Sequence, residues 1–147
     1  MAKRILIIHG PNLNLLGKRE PDIYGKFSLD KINKTLLNKA KKEKAQLKII
    51  QSNHEGEIVD LLGQSRGKFD TIIINPAAYT HTSVAIRDAI VACGMPVIEV
   101  HLSNIYSRES FRQNSLIAPV CKGQISGFGA LSYVLALEAA FDICKNK

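Results

Sequence analysis

Two runs in this chain are apolar at every position: Ile5-Leu6-Ile7-Ile8 and Ile72-Ile73-Ile74. A strand with one wet face alternates apolar and polar residues, so unbroken runs of this kind mark strands buried on both faces. Such strands belong to a parallel sheet, which needs helices on either side. The rest of the chain supplies them. Strand signals at 4–9, 47–52, 71–75, 96–100 and 124–127 alternate with helical patterns at 28–44, 55–67, 82–93 and 129–145. Ser28 is placed to cap the first helix, with Leu29, Ile32, Leu36 and Ala40 as its apolar stripe. Thr80 or Thr82 is placed to cap the third, with Val84, Ala85, Ile90 and Val91 expected to face inward.

Repeated βα units joined by right-handed crossovers predict an α/β fold. The specific expectation is a flavodoxin-like three-layer sandwich with a five-stranded parallel sheet of order 2-1-3-4-5. With 147 residues and no repeat or linker, the whole span 1–147 reads as a single α/β domain. No apolar run approaches the roughly 20 residues of a membrane span. The apolar pentad after Arg4 is shorter than the roughly 7–15 residues of a secretory signal, so a cytoplasmic protein is expected. Cys93, Cys121 and Cys144 are odd in number and widely spaced, which argues against disulfides or a zinc site. The formal charge of +7 owes much to lysines on and just after the first helix. No stacking aromatics interleave with them, so a solvated face is the default reading and a nucleic-acid partner is not expected. A positive field of this kind favours a small anionic substrate.

Ligands of such sheets bind beyond the carboxyl ends of the strands. Polar residues appear abruptly there: His9-Gly10-Pro11-Asn12, Ser52-Asn53-His54-Glu55, Asn75-Pro76 with His81 beyond, and Glu99 with His101-Leu102-Ser103. Four such clusters on one rim read better as an active site than as loop chemistry. Glu99 and His101 are two apart on one strand, so both point to the same face. There the carboxylate can bond the imidazole, fix its tautomer and favour its charged form, making His101 a candidate general acid. A satisfied core histidine is the alternative, although a glutamate inside Val97-Ile98-Glu99-Val100 is costly without a partner.

Arg19 and Tyr24 lie in a long loop between Gly10 and Gly25, a length typical of a binding loop or lid. A free tyrosine is a poor base at neutral pH, but an adjacent arginine favours the phenolate. From pattern alone the pair reads equally as a base with its cation or as a structural tyrosine beside a solvated arginine. Arg108 and Arg112 would share a face if their segment is helical, and guanidiniums near the rim suit a carboxylate or a polyol. A surface role is equally open for them.

These residues also fall into a familiar order. The stretches Gly10-Pro11-Asn12-Leu13-Asn14-Leu15-Leu16-Gly17, Arg19-Glu20-Pro21 and Tyr24-Gly25 open it. Asn53-His54-Glu55-Gly56, Asn75-Pro76-Ala77-Ala78-Tyr79-Thr80-His81-Thr82-Ser83 and His101-Leu102-Ser103-Asn104 follow, then Arg108, Phe111-Arg112 and Gly127-Phe128-Gly129. Over essentially its whole length the chain resembles the type II 3-dehydroquinate dehydratases, or type II dehydroquinases, of the shikimate pathway of aromatic amino-acid biosynthesis. The resemblance implies a lyase, specifically a hydro-lyase. It would convert 3-dehydroquinate reversibly to 3-dehydroshikimate by anti elimination through an enolate.

By that resemblance Tyr24 is the phenolate base, supported by Arg19, and Asn12 helps hold the enolate through a water. His101, backed by Glu99, protonates the departing hydroxyl. The amides of Leu102 and Ser103, with the Ser103 hydroxyl, cradle the carboxylate, while Asn75, His81 and Arg112 hold ring hydroxyls and the carboxylate region. Asp88 corresponds to a residue reaching in from a neighbouring subunit, and Arg108 helps close the lid. Ser110 departs from an acid common in the family, at no proposed catalytic position. The resemblance implies no cofactor and no metal, and a homododecamer built as a tetramer of trimers.

The alternatives fit less well. A phosphoryl-accepting receiver needs an acid at the end of strand three, where Asn75 stands. A flavin-binding module needs a Ser/Thr/Gly phosphate loop where Pro11-Asn12-Leu13-Asn14-Leu15 stands. A non-catalytic nucleotide- or nucleic-acid-binding module of the same fold predicts no turnover and salt-sensitive retention on nucleic acid. The unrelated type I dehydroquinases use a barrel of roughly 250 residues, which this chain cannot build.

Overall fold

The computed structural model describes residues 2–18 and 28–147. Five strands, β1 (Lys3–His9), β2 (Ala45–Gln51), β3 (Thr71–Asn75), β4 (Val97–His101) and β5 (Gly123–Ser126), form one sheet of order β2-β1-β3-β4-β5. Every pairing is parallel. The expected order 2-1-3-4-5 and the flavodoxin-like α/β layering are therefore both present. Four helices cover the sheet among the described residues: α1 (Leu29–Lys42), α2 (Glu55–Gly63), α3 (Val84–Cys93) and α4 (Leu131–Lys145).

Alternation along the central strands splits the core in two. Ile5, Ile7, Ile73, Ile98 and Val100 point to one face and pack beneath α1 and α4, against Leu36, Tyr133, Leu137 and Phe141. Leu6, Ile8, Ile72, Ile74 and Val97 point to the other and meet α2 and α3 through Ile58, Leu62, Ile86 and Ile90. Both faces of β1 and β3 are dry, which explains why their sequences carry no polar alternation.

Element ends depart from the expectations in ways that local bonding explains. The Ser28 hydroxyl caps α1 by accepting the Lys31 N–H, and Leu29, Ile32, Leu36 and Ala40 are buried, as their spacing implied. Helix α2 stops at Gly63 rather than running to 67. Ser65 turns inward there and its hydroxyl bonds the Leu62 carbonyl, while Gly67 takes a left-handed φ of 82°. Helix α3 is capped by Ser83, whose Oγ accepts the Ile86 N–H at 2.9 Å, and not by Thr80 or Thr82. Ile90 faces inward as expected, but its companions are Ile86, Ala89 and Cys93, whose i, i+3, i+4, i+7 spacing forms the buried stripe, and Val84, Ala85 and Val91 are exposed, which corrects the expected face. The 108–112 segment is not one helix: Arg108 is extended between short 3₁₀ turns at Ile105–Ser107 and Ser110–Arg112.

Candidate active site

The carboxyl ends of β1, β3 and β4 open into one pocket, at the point where the strand order reverses. About 840 Å³ of space between atoms, open solvent at the mouth included, lies within it. Asn12, Asn75, His81 and His101 line it. So do Leu102, Ser103, Arg108 and Arg112. Glu99 stands directly behind His101. Asp88 does not line this pocket; it sits on the exposed side of α3. Arg19 and Tyr24 lie outside the described residues.

Position in the strand accounts for the Glu99–His101 pair. Both belong to β4 and point to the same side, where Glu99 Oε2 lies 2.5 Å from His101 Nε2. Glu99 has no exposed surface, and a bare carboxylate would not survive such burial. Three donors hold it. Besides the imidazole, the Ser115 hydroxyl lies 2.9 Å from each carboxylate oxygen and the Gln124 amide donates to Oε2 at 3.0 Å. Ser115 Oγ also accepts the N–H groups of Ile117 and Ala118, which fixes it in place. Glu99 engages Nε2, so Nδ1 is the ring nitrogen left for the pocket. Sequence reasoning missed Ser115, Gln124 and Thr80, whose Oγ1 lies 3.4 Å from His101 Nε2. No local pattern marks them, because their partners are distant in the chain.

The next two residues supply donors. Among the described residues, the backbone N–H groups of Leu102 and Ser103 and the Ser103 hydroxyl have no acceptor. Unpaired amides in a pocket that Arg108 and Arg112 also line are donors of the kind an anion accepts from. Arg112 Nε is held by Glu109 at 2.8 Å, which leaves its terminal nitrogens for a ligand. The same guanidinium holds the Glu109 carboxyl below its usual range.

His81 and Asn75 offer complementary groups. His81 Nδ1 donates to the Asn114 carbonyl at 2.9 Å, so Nε2 is its acceptor. Burial above all, with the nearby Arg112 guanidinium adding to it, lowers its pKa and favours the neutral ring. Asn75 accepts the Ala77 N–H through Oδ1 and donates through Nδ2. Asn12 holds a left-handed φ of 69°, with its N–H on Asn53 Oδ1 at 3.0 Å, and Ala77, which also lines the pocket, has a φ of 52°. Two left-handed residues other than glycine in one pocket wall are strain held by their surroundings, a common mark of functional sites. Among the described residues, no group of three or more His, Cys, Asp or Glu side chains could hold a metal.

Residues 3–141 match the family model described as Dehydroquinase class II. The chain belongs to that family. It is 60% identical over 135 residues to the 3-dehydroquinate dehydratase of Acaryochloris marina, covering 92% of this chain and 91% of that protein. It is 58% identical to that of Trichodesmium erythraeum, covering 97% of this chain and 95% of that one. Among solved structures, the type II dehydroquinase from Butyrivibrio crossotus superposes with a TM-score of 0.92 at 42% identity, covering 95% of this chain and 98% of that one. As a class II dehydroquinase, the chain spans its relatives nearly end to end, and the matched region includes every residue of the pocket described above.

Proposed function

We propose that this chain catalyses the reversible dehydration of 3-dehydroquinate to 3-dehydroshikimate by anti elimination through an enolate, within the cytoplasmic synthesis of aromatic amino acids. One observation carries the reading: the Glu99-backed imidazole of His101 is followed in sequence by the unpaired amides of Leu102 and Ser103. In 3-dehydroquinate the departing hydroxyl and the carboxylate share one carbon. The acid that protonates that hydroxyl and the donors that hold that carboxylate must therefore be neighbours.

The remaining roles follow from the chemistry. The proton beside the ketone is acidified because its loss gives an enolate, and Tyr24 as phenolate takes it, with Arg19 stabilising the phenolate. Asn12 holds the enolate oxygen through a water. His101 then gives its proton to the leaving hydroxyl, and Glu99 compensates the imidazolium charge in the ground state. Neutral His81 accepts from a ring hydroxyl, Asn75 donates to another, and Arg112 pairs with the carboxylate region. Arg108 helps close the segment that carries Tyr24. No step needs a metal or an organic cofactor.

A homododecamer built from trimers completes the proposal, with Asp88 contributing to a neighbouring subunit's site. Supporting this, Val84 and Val91 are 59% and 61% exposed, and with Asp88 they follow the i, i+4, i+7 spacing of one helical stripe. Asp88 thus sits within an apolar face that suits burial against another copy.

The test is direct. Purified protein given 3-dehydroquinate should generate the ultraviolet absorbance of a conjugated enone, and Tyr24→Phe should slow this by on the order of 10²–10⁴-fold with the fold intact. A flat trace from folded, assembled wild-type protein rejects the function. Near-normal turnover by the variant removes Tyr24 from its role.

A further inference from the structure

A buried polar chain runs behind the pocket, and of its members only Asn75 enters the chemistry above. His9, the last residue of β1, has no exposed surface, and Tyr133 of α4 is 1% exposed. Tyr133 Oη lies 2.8 Å from His9 Nδ1, His9 Nε2 lies 2.8 Å from Asn33 Oδ1 on α1, and Asn75 Nδ2 donates to Tyr133 Oη at 3.0 Å. In isolation each contact could run either way, because imidazoles change tautomer and hydroxyls rotate.

One backbone amide removes the ambiguity. The Ala77 N–H can only donate, and it bonds Asn75 Oδ1 at 3.0 Å. The oxygen of Asn75 is thereby fixed, so its NH₂ faces Tyr133 and the tyrosine oxygen accepts. The tyrosine proton then has one remaining partner, His9 Nδ1, which must be the bare nitrogen. Nε2 consequently carries the ring proton and donates to Asn33 Oδ1. All buried side-chain polar atoms among the described residues are satisfied under this arrangement.

We propose that Asn33, His9 and Tyr133 are positioning residues that, together with the Ala77 amide, hold Asn75 with its second N–H toward the pocket, so that it binds a substrate oxygen as a donor and never as an acceptor. The proposal rests on the proposed reaction only for the identity of that oxygen, a ring hydroxyl. The polarity itself is a property of the fold. Both partners of the His9 ring are uncharged, and burial lowers its pKa to about 4, so the ring stays neutral at working pH. A charged His9 would have to donate to Tyr133 as well, leaving the tyrosine proton without an acceptor. The same logic assigns Asn75 and His81 opposite tasks. Asn75 donates, while His81 accepts.

Two measurements test this. Neutron diffraction of the assembled enzyme at neutral pH should show deuterium on His9 Nε2, none on Nδ1, and the Tyr133 deuteron directed at Nδ1. Deuterium on Nδ1 overturns the proposal whatever the enzyme's substrate proves to be. In kinetics, Tyr133→Phe should raise KM roughly 2- to 10-fold, the range for one hydrogen bond, with a smaller change in kcat. That increase should vanish when Tyr133→Phe is added to Asn75→Ala, because the tyrosine acts through the amide it orients. Additive increases would show that Tyr133 supports the fold alone and would reject the positioning role. A turnover failure in wild-type protein with the deuterium pattern intact would instead fault the proposed reaction.

Discussion

His9 shows how much one side chain can couple burial to pH. Unfolded, its imidazole titrates at its ordinary value of 6.5; folded, desolvation lowers the value to about 4. Between those values the unfolded chain binds more protons, so stability falls as pH drops from about 6.5 to about 4 and the loss is complete below. The full loss amounts to about 3 kcal/mol. Asp70, whose carboxyl Arg4 holds far below its usual range, loses its contribution only below its unfolded value of 3.8, so the two windows separate. Urea midpoints at pH 7 and pH 4.5 should therefore lie closer together in His9→Gln than in the wild type. An equal spread in both proteins would show that His9 does not carry this pH dependence. Nothing in the sequence around His9 announces its partners. Asn33, Asn75 and Tyr133 come from three other elements, and only the fold brings their polar atoms together.

At the scale of elements, strand ends and helix starts divide between site and scaffold. Gly10 follows β1 and donates its N–H to the Asn75 carbonyl at 2.7 Å. A Cβ there would lie 2.7 Å from the Pro76 carbonyl carbon and oxygen and 2.8 Å from the Asn75 oxygen, all backbone atoms that cannot swing aside. Gly10→Ala should cost about 1–3 kcal/mol through overpacking, and should lower turnover more than tenfold because the ends of β1 and β3 form the pocket floor. Ser83→Ala removes the α3 cap and should cost about 1 kcal/mol with turnover unchanged. Denaturant curves and rates measured side by side distinguish the two. Much of this level was legible in advance. The dry strands, the Ser28 cap and the α1 stripe follow from local rules, and Glu99 with His101 follows from strand alternation. The α3 face departs from expectation because Val84 with Val91 and Ile86 with Ala89, Ile90 and Cys93 both have helical spacing, and the core takes the second, wider stripe. Ser115 and Gln124 were invisible because a buried carboxylate recruits partners through space, not through spacing.

At the scale of the whole molecule, one pocket collects residues from loops that are remote in sequence, and the proposed reaction divides between them. The proposed assembly would add a further division: Asp88 is exposed beside Val84 and Val91 and absent from its own chain's pocket. Asp88→Ala and Tyr24→Phe proteins, each impaired alone, should regain activity when dissociated and reassembled together. Some hybrid sites then pair an intact Tyr24 with a neighbour's intact Asp88. No recovery would place Asp88 outside the neighbouring site. The most direct test of the divided mechanism uses His101→Ala in deuterated water. If one group removes the proton beside the ketone and His101 separately protonates the leaving hydroxyl, the variant should return 3-dehydroquinate carrying deuterium beside the ketone while dehydration nearly stops. Dehydration at the wild-type rate in that variant would contradict the role of His101 and, with it, the division of the reaction across the pocket.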